Sequence, residues 1–468
     1  MAWYTIDPLF TRRSSSLTPS HIKGDLQQLS NHYVREVYVN ELFPNRDQSS
    51  YTGATNTLSV MNIAFYPDER GPYNFSTELD AQGHLLTPEH RWGGMMRKLD
   101  TSDFEAANVE YIEFWMLDPF IQGKNAYDDI TDMGGDMYIN LGDVSEEILL
   151  DGKKFYESGM PIDGSEAYTT TQWGKIPTQA AVTYAFSTQA GTRQKQDTGF
   201  NGLTDEEERA FPGYQDFLSF VQNNYAATDS AYINIMQDPA ADNYSYFRST
   251  AFDQQQTPIL QRYKHINGPQ GNSPDSEQRS EAYDTSYKTT PDVEDINQDY
   301  TLNEYEKYYQ YRVPLYPGQM RVGENYIVDK RVTSKTLRNG DKDSVTWYQF
   351  RIPLKEVSPN RTKVGSINDF TSIRFMRMFL TNFKRPVVLR FATFDLVHGK
   401  WRVYEQNLNT SAPNTGVMSI SAVNIEENND KTPVNYVLPP GISRIVDPSQ
   451  PQLVQSNEQA LSMTLTDM

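Results

Sequence analysis

The chain has 468 residues, no cysteine, and 42 Lys and Arg against 61 Asp and Glu, for a net charge of −19. That balance excludes nucleic acid and an anionic membrane surface as main partners, and the missing thiols exclude a disulfide framework, a thiolate metal site and a cysteine nucleophile. No apolar run reaches the ~18 residues of a membrane helix, while the length has room for about three domains of ~150 residues. Tyr (30) and Phe (22) are abundant beside a mean hydropathy of −0.67, a combination typical of extracellular β-rich proteins with polar loops. The opening AWYTIDPLF lacks the basic and apolar regions of a secretion signal. The chain then reads either as cytoplasmic or as an internal piece of something longer, and its abrupt, strand-like start favours the piece.

Residues 1–45 read as a lead-in. Thr18 caps a helix with Pro19 at its first position, Leu26, Leu29 and Tyr33 keep helical spacing, and 34–43 alternates as a strand. A first module spans 46–180, with strands over 57–65 and 109–117. In the second of these Val109, Tyr111, Ile112, Phe114 and Trp115 make both faces apolar, which places it in an interior. A further strand follows over 137–144. Across 181–310 the strand pattern fades, a helix is expected over 205–218, and a polar loop fills 267–290, so this stretch reads as a partly helical insertion. A second module spans 311–410, with strands over 324–330, 347–353, 373–380 and 387–397. An extended tail, 411–468, holds a strand over 418–425 and leads towards the next segment of the parent.

Aligning 111–116 with 373–378 also brings 137–144 and 388–395 into rough correspondence, in pattern more than in identity. Two copies roughly 260 residues apart are too distant for a solenoid, whose period is about 20–50 residues. The fold class read from these patterns is mainly β: two β-sandwich modules of jelly-roll, galactose-binding-like character with the helical insertion between them.

The sharpest chemical signal is Asp295-Ile-Asn297-Gln-Asp299-Tyr-Thr301-Leu-Asn303-Glu-Tyr-Glu306. Alternating oxygen side chains closed by a Glu at the twelfth position match a calcium loop, in which hard oxygen ligands surround the ion and the last Glu binds with both oxygens. EKYYQY would be its exit helix, and Tyr300 stands at the sixth position, where Gly normally turns the chain. The plainer reading is a solvated acidic turn capping a helix. A weaker counterpart sets Asp197, Asn201, Asp205 and Glu208 at positions 1, 5, 9 and 12, with Gly202 in the turn and Gly199 removing the third-position ligand. Carboxylates stabilising a helix dipole are the alternative there. Two such loops bracketing the insertion imply calcium as a structural ion pinning its ends.

Catalysis has no constellation to rest on. The six histidines (His21, His32, His84, His90, His265, His398) show no paired-ligand spacing and no serine sits in a nucleophile elbow. With 61 acids, paired carboxylates of glycosidase type arise by chance. The chain therefore reads as non-enzymatic. Trp92, Trp115, Trp173, Trp347 and Trp401 could stack on sugars, although most lie within strand patterns where core packing is the ordinary use. Arg374, Arg377 and Arg390 interrupt apolar strands and read as buried stems with heads paired to acids such as Asp395 or Glu113, the alternative being a wet groove.

The blocks ERGPYNF (69–75), RWGGMMRK (91–98), NVEYIEFWMLDPF (108–120), WYQFRIPL (347–354), IRFMRMFLTNF (373–383), SAVNIEEN (421–428), TPVNYVLPPG (432–441) and DPSQPQLVQ (447–455) resemble the SprA/Sov family. Those are large cell-surface proteins of Bacteroidetes linked to gliding motility and type IX secretion. The resemblance spans nearly the whole chain. It implies that the parent is a very large outer-membrane β-barrel translocon that exports folded cargo through a lateral opening. This chain resembles an internal region of such a protein, and it lacks the series of ~10-residue strands with one lipid-facing apolar side. The expectation is a soluble cap or exit-lining insertion, on the extracellular rather than the periplasmic side. Its partners would be secretion-system subunits, exported cargo and the rest of the barrel, which alone would meet the membrane. The resemblance supplies no catalytic residue. A surface carbohydrate-binding module is the alternative, and glycoside hydrolysis a third reading.

Overall fold

The computed structural model describes residues 1–11, 14–46, 57–121, 133–154, 160, 168–178, 193–196, 198–244, 247–266, 293–399, 417–430, 435–444, 455 and 457–466. In chain order, β1 (Ala2–Tyr4) precedes four short helices, α1 (Pro8–Thr11), α2 (Ser20–Gly24), α3 (Leu26–Ser30) and α4 (Val39–Leu42). Then come β2 (Met61–Phe65), β3 (Trp92–Lys98), β4 (Val109–Leu117) and β5 (Gly135–Asp143). A small ribbon, β6 (Tyr168–Thr170) with β7 (Lys175–Pro177), opens the insertion, which continues through α5 (Arg193–Gln196), α6 (Asp205–Ala210), α7 (Gln215–Asn224), α8 (Ser230–Gln237), α9 (Thr250–Gln254) and α10 (Ile259–Arg262). Strands resume as β8 (Lys307–Leu315), β9 (Ile327–Thr336), β10 (Lys342–Pro353), β11 (Arg361–Val364), β12 (Phe375–Thr381) and β13 (Val387–His398). The tail adds β14 (Val417–Asn424), α11 (Ile425–Asn428) and β15 (Gln459–Thr466). The chain is mainly β with a small helical region, as its pattern predicts. No described helix is long and apolar enough to cross a membrane.

Two antiparallel sheets face each other, one ordered β1-β2-β13-β4-β10-β9 and the other β11-β8-β5-β12-β3. Alternate side chains of β4 (Ile112, Phe114, Met116) meet those of β5 (Met137, Ile139, Leu141) in a shared core, the arrangement expected of packed sheets. Phe114 stacks on Phe350 with ring centroids 4.8 Å apart and on Phe394 at 5.3 Å. The other face of β4, Trp115 and Leu117, packs with Trp347 beneath Val37, Leu42 and Phe43 of the lead-in. Covering on both sides is why both faces of this strand are largely apolar, with Glu113 on the outer face paired to Arg351 at 2.6 Å. The segment of α9 and α10 also returns to the lead-in, where Tyr263 stacks on Tyr4 at 4.6 Å. The five-stranded sheet differs, because its outer face mixes ion pairs with aromatics such as Tyr138, which stacks on Phe379 at 4.8 Å, and Phe375, which packs with Tyr308 and Val144. There Asp136 accepts from Arg312 Nε at 2.9 Å and from Asn382 Nδ2 at 2.7 Å.

Two separate sandwiches are not what these strands build. β4 lies between β10 and β13, and β5 lies between β8 and β12, so each central strand from before the insertion is flanked by strands from after it. The internal similarity has a different origin. The chain crosses from the six- to the five-stranded sheet between β4 and β5, and crosses back between β12 and β13. The crossings pair with one another, Phe114 opposite Phe394 and Ile139 opposite Met378. The aligned segments share a pattern because both are central and buried, not because each founds its own domain.

Local expectations also need revision. The helix starting at Thr18 is broken at Asp25, whose carboxylate caps α3 by accepting from Gln28 N at 2.9 Å. Thr18 instead donates from Oγ1 to Leu9 O. Residues 34–43 form a loop and α4 rather than a strand, since Glu41 accepts from Tyr38 N at 3.0 Å and binds Arg35. The helix expected over 205–218 divides at Phe211-Pro212, where proline has no N–H to donate.

Candidate functional site

β5 leaves its sheet at Asp143 and the chain re-enters at Lys307 in β8, so the residues just beyond those points form the neck of the insertion. Glu146, fully buried, sews the neck together. Its Oε1 accepts from Ile296 N at 3.0 Å and Asn297 N at 3.3 Å, its Oε2 accepts from Asn303 N at 3.0 Å, and its own N–H donates to Asn303 O. Burial nonetheless pushes its carboxyl above the usual range. Glu147 Oε1 accepts from Asp151 N at 2.7 Å and Gly152 N at 3.1 Å. Glu294 is also fully buried, and its Oε1 accepts from Ile148 N and Leu149 N, both at 2.8 Å. Its Oε2 has no hydrogen-bond partner among the described residues. One oxygen from each of Glu147, Asp151 and Glu294 lies within 4.8 Å of the other two. Desolvation, reinforced by the charges of Glu147 and Asp151, raises the Glu294 carboxyl to about 7.

The predicted calcium loop begins one residue later, and the structure divides its residues. Asp295, Asn297, Asp299 and Thr301 are together but bonded to one another. Asp295 accepts from Asp299 N (3.1 Å) and Tyr300 N (2.9 Å), Asn297 Nδ2 donates to Asp299 Oδ2 (3.0 Å), and Asp299 accepts from Thr301 N (2.9 Å) and Thr301 Oγ1 (2.6 Å). The Thr301 hydroxyl and N–H hold the Asp299 carboxyl below its usual range. Tyr300 turns the chain at φ 67° without glycine. Asn303 and Glu306 are engaged elsewhere. Asn303 donates to Val144 O (2.7 Å) and accepts from Arg374 Nη2 (2.9 Å), while Glu306 takes both guanidinium nitrogens of Arg377 at 3.1 and 3.2 Å. The expected exit helix is the strand β8, because Tyr309, Tyr311, Val313 and Leu315 alternate into the sandwich core.

Of the second loop, Asp197 lies outside the described residues. Asn201, Asp205 and Glu208 converge, joined by Asp238 from after α8, with one oxygen of Asp205, Glu208 and Asp238 each within 4.8 Å of the others. Thr204 caps α6, accepting from Glu207 N at 3.3 Å. Glu208 is fully buried, and each of its oxygens has a donor, Asn201 Nδ2 for Oε1 and Ala240 N at 3.1 Å for Oε2. Asp205 accepts from Asn243 Nδ2 (3.2 Å), Asp238 from Asp242 N (3.1 Å), and Asp242 from Phe200 N (3.1 Å). Gly199, at φ 89°, leaves room for that last contact, since a Cβ there would fall 2.3 Å from Asp242 Oδ2. Arg70 supplies positive charge, facing Asp238 and Glu208 with its guanidinium 4.4 Å over the Phe217 ring and its Nε donating to Asn74 O at 3.1 Å. Burial raises the Glu208 carboxyl to about 7 and the carboxyls of Asp205, Asp238 and Asp242 as well.

Sequence reading missed Glu146, Glu147, Asp151, Glu294, Asp238, Asp242 and Arg70. Arg70 alone carried a signal, within ERGPYNF, whose Phe75 stacks on Tyr214 at 4.2 Å and so docks the motif on the helical insertion. Among the arginines read as paired, Arg374 meets Asp143 and Arg377 meets Glu306. Arg390 differs from expectation, donating to the carbonyls of His32 and Arg35 rather than to an acid. Burial beside Arg35 pulls its guanidinium down to about 9. Trp115 and Trp347 are core residues, Trp173 Nε1 donates to Leu149 O at 2.8 Å, Trp401 lies outside the described residues, and Trp92 is 70% exposed.

A family model described as motility related/secretion protein, SprA_N, matches residues 216–468. The matched stretch runs from α7 through β8–β13 to the tail. No curated protein matches the chain.

Proposed function

Because this chain belongs to the SprA_N family of motility related/secretion proteins, we propose that it is a non-enzymatic, rigid element of a protein-secretion translocon in the cell envelope. The family has a role in secretion and motility. On our reading the chain is a soluble cap or exit lining of a giant outer-membrane β-barrel of the type IX system, on its extracellular side. There it contacts exported cargo and partner subunits.

The observation that carries this reading is that the outer face of the five-stranded sheet sets ion pairs, Asp136 with Arg312 and Glu306 with Arg377, among its aromatics. A membrane strand presents an apolar face to lipid, so this face suits water or a protein partner. The interleaved strands support a rigid support role, since neither half of the chain can complete a sheet without the other. In-frame removal of residues 1–468 from the parent in cells should abolish secretion while the barrel still assembles. Normal secretion by such cells would overturn the proposal.

A further inference from the structure

Each acidic cluster leaves a buried oxygen without a hydrogen-bond partner among the described residues, Glu294 Oε2 at the neck and Asp242 Oδ1 in the insertion, and the two differ at their buried glutamates. In the insertion both oxygens of Glu208 have donors and Arg70 faces the acids. At the neck Glu294 is fully buried, its Oε1 is held by two N–H groups, and its Oε2 has no hydrogen-bond partner among the described residues. A buried carboxylate oxygen without a donor is costly, and such an atom in a native fold points to an ion or water that meets it. This atom belongs to a residue already grouped with two further carboxylates, Glu147 and Asp151.

We propose that Glu147, Asp151 and Glu294 bind one calcium ion that staples the neck of the insertion. The donor set is all oxygen, without histidine or thiolate, which selects a hard cation over zinc or copper. Calcium takes about six to eight oxygens at flexible geometry, whereas magnesium demands a near-ideal octahedron. Glu147 and Glu294 each have one oxygen fixed by two N–H donors. Their carboxylates are thereby oriented before any ion arrives, which limits the ordering cost of binding. The position gives the ion its purpose. Glu147 and Asp151 follow β5, Glu294 precedes β8, and Trp173 ties the β6–β7 ribbon to Leu149 in the same turn. One ion would join the two ends of the insertion across roughly 150 residues of chain, and long closed loops gain most from a cross-link.

The test is calorimetric titration of calcium chloride into the full chain after chelator treatment, beside thermal melts. Expected are one site with a Kd on the order of 10⁻⁴ M or tighter and a rise in the melting midpoint of about 3 °C at a hundredfold excess over Kd. Glu294→Gln should weaken binding at least tenfold, and the half-exposed Glu147→Gln should do the same should Glu294→Gln fail to fold. Asp299→Asn should bind as wild type. Absence of both heat and melting shift in the wild-type chain would overturn the proposal. So would binding that survives Glu294→Gln and Glu147→Gln but is lost in Asp299→Asn or Glu208→Gln, since either result places the ion elsewhere.

Discussion

The neck and the helical insertion each gather carboxylate oxygens within 4.8 Å of one another, and each of these groups includes a fully buried glutamate, Glu294 in the first and Glu208 in the second. Their surroundings diverge. Around Glu208 the fold supplies an asparagine amide, a backbone N–H and the nearby Arg70. Around Glu294 it supplies two N–H groups on one oxygen and none on the other. Closeness of acids is therefore a poor guide to a cation site. What separates Glu294 from Glu208 is the count of donors reaching the two oxygens, because an interior carboxylate is tolerable only when its lone pairs are met; Asp242 Oδ1 of the insertion shares the deficit of Glu294 Oε2.

Three substitutions sharpen this contrast. The largest effect is expected at Glu146, the neck residue whose acceptors are all used. Glu146→Ala leaves the N–H groups of Asn297 and Asn303 without a partner and Ile296 N with only Glu294 O and should cost about 4 kcal/mol at roughly 1–3 kcal/mol per orphaned group. Denaturant unfolding measures the loss, and hydrogen exchange should quicken at residues 296, 297 and 303. A neutral result would mean that the neck is held by something other than this carboxylate.

Arg70→Leu comes next. It removes charge-assisted bonds to the carbonyls of Asn74 and Pro239 and withdraws the cation facing Asp238 and Glu208, for a loss of about 3 kcal/mol. Calcium binding at the neck should be unaltered in this variant if the two clusters are independent.

The smallest effect is a pH dependence. The Glu208 carboxyl stands at about 7 in the folded chain against an ordinary 4.5. A carboxyl raised on folding favours the protonated native state, so its contribution is full below pH 4.5 and is lost as pH climbs towards and through 7. The Glu208 share of stability should fall by about 2 kcal/mol between pH 5 and pH 8, and Glu208→Gln should make the slope shallower in melts at matched ionic strength, the part due to Glu294, raised to about 7 as well, remaining. An unchanged slope in the variant would assign the dependence to another acid.

Comparing the strand at 109–117 with the loop at 295–306 shows where reading from sequence succeeds. Period-two and apolar patterns located β4 to the residue and β5, β10, β12 and β13 closely, because a strand's burial is written into its own side chains. The apolar outer face of β4 even foretold a covering layer. The loop fared otherwise. Its first residues do cluster, but Glu306 is claimed by Arg377 of β12 and Asn303 by Arg374, partners about seventy residues away that no local spacing reveals. Glu294, whose Oε2 is without a hydrogen-bond partner among the described residues, stood beside the motif and outside its template.

Composition and local periodicity thus determined that the chain is mainly β, acidic and interrupted by a helical insertion. They also determined which segments are interior strands. Only the tertiary structure decided that those strands interleave in one pair of sheets, and which buried carboxylates have donors. Strand formation depends on side chains a few residues apart, whereas sheet order and the satisfaction of a buried oxygen depend on groups that long-range folding brings together.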